Sequence, residues 1–210
     1  MYIDEAVFRE IFHKFIYIEC PDAIERLADT LEIIDGATGV LAYCFCEELV
    51  GTSFNLLASV RKDEKGQLVV GSRSSERYAR VRFKDIRDYE FEMAEELGAD
   101  LSEYEDVPED ILHNFESADQ KMTMLRELEL LDGGRNLELP DFISVIVAQK
   151  GSLPEVVWVR TTSFGEDEFH GTLLQPPTQG FGLEAGQKVR YRAYKNEGEI
   201  VLILDSSMLS

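Results

Sequence analysis

The side chains able to do chemistry are few apart from the carboxylates. The chain carries three histidines, His13, His113 and His170, and three cysteines, Cys20, Cys44 and Cys46. A zinc site needs three or four such groups at ligand spacing, and no histidine here has a His or Cys partner so placed, so no metal site is expected. Cys44 and Cys46 alternate in a strand-like run and share one face. A small, odd set of thiols fits a reducing cytoplasm better than a disulfide framework, and they read as buried thiols acting as small hydrophobes. His13, beside Phe12, reads as a polar-edge residue. The sequence has no GxSxG elbow, no HExxH, no GxGxxG and no phosphate loop ending in Gly-Lys-Ser/Thr. No catalytic residue and no cofactor is therefore assigned. Glu166, Asp167 and Glu168 fall at a hairpin tip and lack the alternating ligands and central glycine of a calcium loop. Carboxylates are abundant enough for a catalytic pair of the glycosidase kind, but no two of them stand out.

What remains is charge. The 210 residues include 41 acids and 21 lysines and arginines, for a net charge of -20. Phosphate contacts need a basic surplus, which argues against general nucleic-acid binding and against docking on anionic membranes. Solubility and a basic partner fit the charge better. Residues 85–110 hold twelve acids and one base, Arg87, and so more than half of the net charge. Apolar anchors such as Phe91, Leu97, Tyr104 and Val107 are interleaved, so the segment can pack one side and present carboxylates on the other. Glu92, Glu95, Glu96, Glu103 and Glu105 are the candidate partner-binding residues. Just before them stand Arg73, Arg77, Arg80, Arg82 and Lys84. On a strand, Arg80, Arg82 and Lys84 share one face and form a candidate anion site. The adjacency also predicts ion pairing between the basic strand and the acidic segment.

These residues need elements to position them. The stripe Val7, Phe8, Ile11, Phe12 and Phe15 predicts an opening helix, and Ile24, Leu27, Ala28, Leu31 and Ile34 predict a second, started by Pro21 and ended by Gly36. Strands are expected at Val40–Cys46, Phe54–Val60, Gln67–Gly71 and about Arg77–Lys84. Helical stretches are expected over Arg87–Leu97 and Pro108–Leu131, with a breaker and domain boundary at Asp132-Gly-Gly-Arg135. Five short strands follow, near 142–149, 156–162, 168–174, 188–194 and 199–204, separated by Gly/Pro turns. The expected fold class is α+β: a domain at 1–135 with helices packed on an antiparallel sheet, then a small five-stranded β barrel at 136–210. Trp158 reads as a core anchor of that barrel. No signal peptide or apolar span is apparent.

The C-terminal third also carries a resemblance. Val156-Val-Trp-Val159, then Phe169-His-Gly-Thr-Leu173, then Pro176 or Pro177, then Leu183-Glu-Ala-Gly-Gln-Lys-Val189 resemble an uncharacterised family of small bacterial domains. In that family a Trp-Val strand is followed by a Gly-x-Leu strand, an Asn/Gln-x-Pro turn, and a leucine before Gly-Asp/Gln-x-Val. The match covers roughly residues 140–204. It departs at the end, where Lys195-Asn-Glu-Gly-Glu-Ile200 stands in place of the family's Asp-Trp pair. The family has no established activity, so the resemblance implies a fold and no mechanism.

The leading expectation is a cytoplasmic bacterial interaction protein without catalysis, its acidic face fitted to a basic partner in the manner of an immunity protein or a mimic of nucleic-acid charge. The alternatives are a small-molecule or anion-binding module using the basic strand or the barrel mouth, and a carboxylate-dependent hydrolase.

Overall fold

The computed structural model describes residues 1–48, 50–74, 79–116, 119–179, 181–196 and 198–209. Arg77, named above, lies outside them. The chain divides into two compact units, Met1–Ala118 and Asp119–Ser210.

The first unit is built on an antiparallel sheet. Its strands are β1 (Phe15–Glu19), β2 (Gly39–Glu47), β3 (Gly51–Lys62), β4 (Leu68–Val70), β5 (Arg80–Arg82) and β6 (Glu90–Met93). They run in the order β4-β3-β2-β1-β6, with β5 also pairing β3. β2 is buried along nearly its whole length, as a central strand covered on both faces must be. Tyr17, Leu41, Tyr43 and Phe45 point to one face, where Tyr104, Val107 and Ile111 join the same cluster. Cys44 and Cys46 alternate onto the opposite face, and all three cysteines are buried. Gly39 is required where β2 crosses β1, since a Cβ there would sit 2.1 Å from the Ile18 carbonyl oxygen.

Several expected helices are absent, each for a local reason. The opening one shrinks to α1 (Phe8–Ile11). His13 then takes φ 57°, in the left-handed region, which a continuing helix does not permit. The aromatic and β-branched run from Phe15 enters the sheet as β1. The second reduces to a 3₁₀ turn at Ile24–Leu27. Ser59 on β3 holds the chain beyond it, accepting from the Ile34 amide at 3.0 Å and donating to the Glu32 carbonyl at 2.7 Å, so these groups bond the sheet and not one another. The expected helix at 87–97 is instead turns around the edge strand β6, where Glu90 and Glu92 are exposed and Phe91 is buried between them. That period of two overrides the helical propensity of the acids. The fourth strand ends at Arg82, and α2 (Phe83–Ile86) follows. The long helix at 108–131 is instead α3 (Val107–Asn114), α4 (Gln120–Arg126) and a 3₁₀ turn at Glu129–Gly134.

The second unit is a closed five-stranded barrel, as the alternation predicts. β7 (Phe142–Val147), β8 (Glu155–Phe164), β9 (Phe169–Leu173), β10 (Lys188–Asn196) and β11 (Glu199–Leu204) follow one another antiparallel, and β11 closes on β7 in parallel. Val145, Val157, Val159, Leu173 and Tyr191 help fill the interior, and Leu125 and Leu131 belong to the same core. The Asp132–Arg135 breaker is thus part of the barrel's packing. Arg126 makes two hydrogen bonds to Asp141, at 3.0 and 2.9 Å, and Arg135 donates to the carbonyls of Pro140 and Leu125. Trp158 departs from its expected place: Val157 and Val159 take the inward positions, and the tryptophan between them stands half-buried on the outer face.

Candidate functional site

The acidic segment lies on β6, the turn after it, a 3₁₀ turn at Ser102–Tyr104 and α3. Phe91, Ala94, Tyr104, Val107 and Ile111 are buried. The acids between these anchors must therefore face water, and Glu92, Glu95, Glu96, Glu103 and Glu105 are all exposed. Gly98, at φ 67°, supplies the turn conformation. The Leu68 amide donates to the Leu97 carbonyl at 3.0 Å, tying this turn to β4. Asp100 accepts from the Ser102 side chain and amide, which holds its carboxyl below the usual range.

Among the described residues, Lys62 and Arg73 reach the segment from other parts of the unit. Lys62 pairs with Glu92 and sits 5.0 Å over the Tyr17 ring. Arg73 grips both oxygens of Asp106, at 2.8 and 3.0 Å, and donates to the Glu103 carbonyl at 2.8 Å. Among the described residues, Glu95, Glu96, Glu103 and Glu105 have no cation within 4 Å. The structure therefore separates Glu92, which is neutralised, from four carboxylates that remain open.

The basic row is divided. Arg80 and Arg82 lie opposite Asn55 and Ser53 of β3, but Lys84 is not on the strand; it lies in α2. The chain turns at Phe83, whose side chain is buried, and the strand face stops there. Arg80 donates to Glu47 at 2.9 Å and stacks 4.3 Å over Phe115. Its partner comes from β2 and not from the acidic segment. Arg82 is exposed.

Sequence reasoning missed one buried polar pair. His13 Nε2 lies 2.7 Å from Glu116 Oε2, and the Glu116 side chain is only 1% exposed. The other carboxylate oxygen accepts from the Cys46 amide at 2.9 Å. The His13 ring stacks on Phe12 at 3.8 Å. The neighbours of His13 and Glu116 in the sequence do not reveal a partner 103 positions away. Burial pushes the Cys20 thiol up to about 11 and the Cys44 thiol well above its ordinary value. Both thiols are therefore protonated and poor nucleophiles at neutral pH. A cleft of about 290 Å³ beside Cys20, Val40 and Leu56 brings one acid, Asp85, and one cation, Arg26, to its wall. That is not the pair of acids a carboxylate hydrolase needs. Among the described residues no three His, Cys, Asp or Glu side chains gather as metal ligands, and no helix is long and apolar enough to cross a membrane.

No family model, curated protein or solved structure matches the chain.

Proposed function

We propose that the protein is a non-catalytic interaction module whose acidic face, Glu95, Glu96, Glu103 and Glu105, receives a basic protein. The observation that carries this reading is the contrast within one segment. Glu92 and Asp106 have cations of the same unit beside them, while the other four stand exposed on a turn and a 3₁₀ turn held by buried anchors. Fixed carboxylates steer a basic partner and raise its association rate more than they add raw affinity. The resemblance of residues 140–204 to small domains without established activity adds no chemistry against this.

The test is capture from lysate on the immobilised protein, followed by a salt step. A specific basic protein is expected to bind at low salt and to elute at high salt, because exposed charges are screened beyond about 8–10 Å at physiological ionic strength. Replacing Glu95, Glu96, Glu103 and Glu105 with glutamine should abolish that capture. Capture that survives the four substitutions would overturn the proposal.

A further inference from the structure

The barrel carries a feature of opposite sign to the rest of the chain. On the outer face of β8, β9 and β10, the pairing register sets Arg160, Thr172 and Lys188 side by side, and in the next row Ser163, His170 and Arg190. The register slips between Thr161 and Ser163. Such a bulge adds a residue to one strand and re-aims its side chains. Thr162 and Ser163 consequently both line one open groove, together with His170, Lys188, Arg190 and Met208. Gly171 forms part of the same wall, and a Cβ on it would meet Val159 at 2.4 Å and the Arg160 carbonyl at 2.5 Å. Only glycine lets the strands approach this closely.

The groove is ordered in advance. Asp205 holds Arg190 at 3.2 Å and Ser207 accepts from it at 3.2 Å, while Glu168 lies 3.8 Å away on the other side. Glu168 also reaches His170 at 3.3 Å and Arg192 at 3.4 Å. Hydrogen bonds from Ser207 and the nearby arginines hold the Asp205 carboxyl below its usual range. Lys188 differs from these. It donates to Thr172 at 2.9 Å, and no carboxylate among the described residues lies within 4 Å. An ammonium has three donors, so two remain open. Arg160, Lys188, Arg190 and Arg192 outnumber Glu168 and Asp205 on a face of an otherwise acidic protein.

We propose that this groove binds a small phosphorylated anion, with Lys188 as the open charge, Arg190 as a pre-oriented donor, and the Ser163 hydroxyl completing the contacts. Fixed cations and hydroxyls converging on one concave site are the chemistry that recognises a phosphate group. The site lies in the other unit from the acidic face, and the two proposals stand or fall separately.

Backbone amide shifts of the full chain, followed while inorganic phosphate or a phosphomonoester is added at constant ionic strength, test it. Saturable shifts confined to residues around Thr162, His170 and Lys188 are expected with both, and the phosphomonoester binding more tightly would identify the source as a phosphorylated metabolite, whereas equal binding would identify phosphate itself. Lys188→Gln should weaken binding by about tenfold, the loss of one charge-assisted contact, while leaving the rest of the spectrum unchanged. Arg190→Lys, which keeps the charge and loses the planar fork, should weaken it less. Shifts that never saturate, that chloride reproduces, or that persist undiminished in Lys188→Gln would overturn the proposal, as would tighter binding of a single-stranded oligonucleotide at the same residues.

Discussion

Glu116 joins three pieces of the first unit: the His13 corner, the β2 backbone at Cys46, and the chain just beyond α3. Its carboxylate is nearly inaccessible. Glu116→Ala removes the acceptor of the Cys46 amide and the partner of the His13 ring and is expected to cost about 1–3 kcal/mol, measured by urea denaturation; an unchanged midpoint would show that the contact adds nothing. Nothing in the local sequence marks this residue. A buried polar pair is specified by two distant positions together, and one sequence shows each alone as an ordinary polar side chain. The acidic face was more legible, because excess charge is a property of composition. Which glutamates stay open was not, since it depends on where Lys62 and Arg73 reach across the sheet.

At the scale of elements, alternation was readable and helical stripes were not. The five barrel strands fall close to their expected places because apolar alternation and Gly/Pro turns both mark them. The short apolar stripes at the N-terminus fit a helix and a buried strand equally well; the first gives the four-residue α1 and then β1, and the second only a 3₁₀ turn. Loops show their own logic. Glu155 on β8 accepts from Thr178 at 2.7 and 2.9 Å and from the Gln179 amide at 2.7 Å, fixing the turn after Pro176 and Pro177. Desolvation works to raise its carboxyl, but these hydrogen bonds together hold it below its ordinary value of 4.5. A carboxyl lowered in the folded state contributes stability that is present above its unfolded value and is lost as the pH falls through the folded one. The barrel should therefore lose stability as the pH drops below about 4.5, and Glu155→Gln should flatten that part of the profile. A melting-temperature profile across this range that is the same in both proteins would refute the assignment.

At the scale of the molecule, the two units divide before α4, because Leu125, Leu131, Arg126 and Arg135 complete the barrel's core and its clamp. The breaker at Asp132–Arg135 resembles a linker only while its arginine's partners are unknown. A fragment starting at Asp119 should fold cooperatively, and one starting at Asn136 should melt more than about 10 °C lower or not fold, since two buried leucines alone contribute about 3–6 kcal/mol. Equal melting of both fragments would contradict this division. The net charge of -20 resolves, at this scale, into an open acidic face on the first unit and a basic groove on the barrel. The most direct test of the central claim compares partner capture by three proteins: the native chain, Glu95, Glu96, Glu103 and Glu105 all changed to glutamine, and a control of equal charge with the exposed Asp22, Glu25, Asp29 and Glu64 changed to asparagine or glutamine. Capture lost only in the first variant is the expected result. Equal loss in both, or in neither, would contradict a specific acidic docking face.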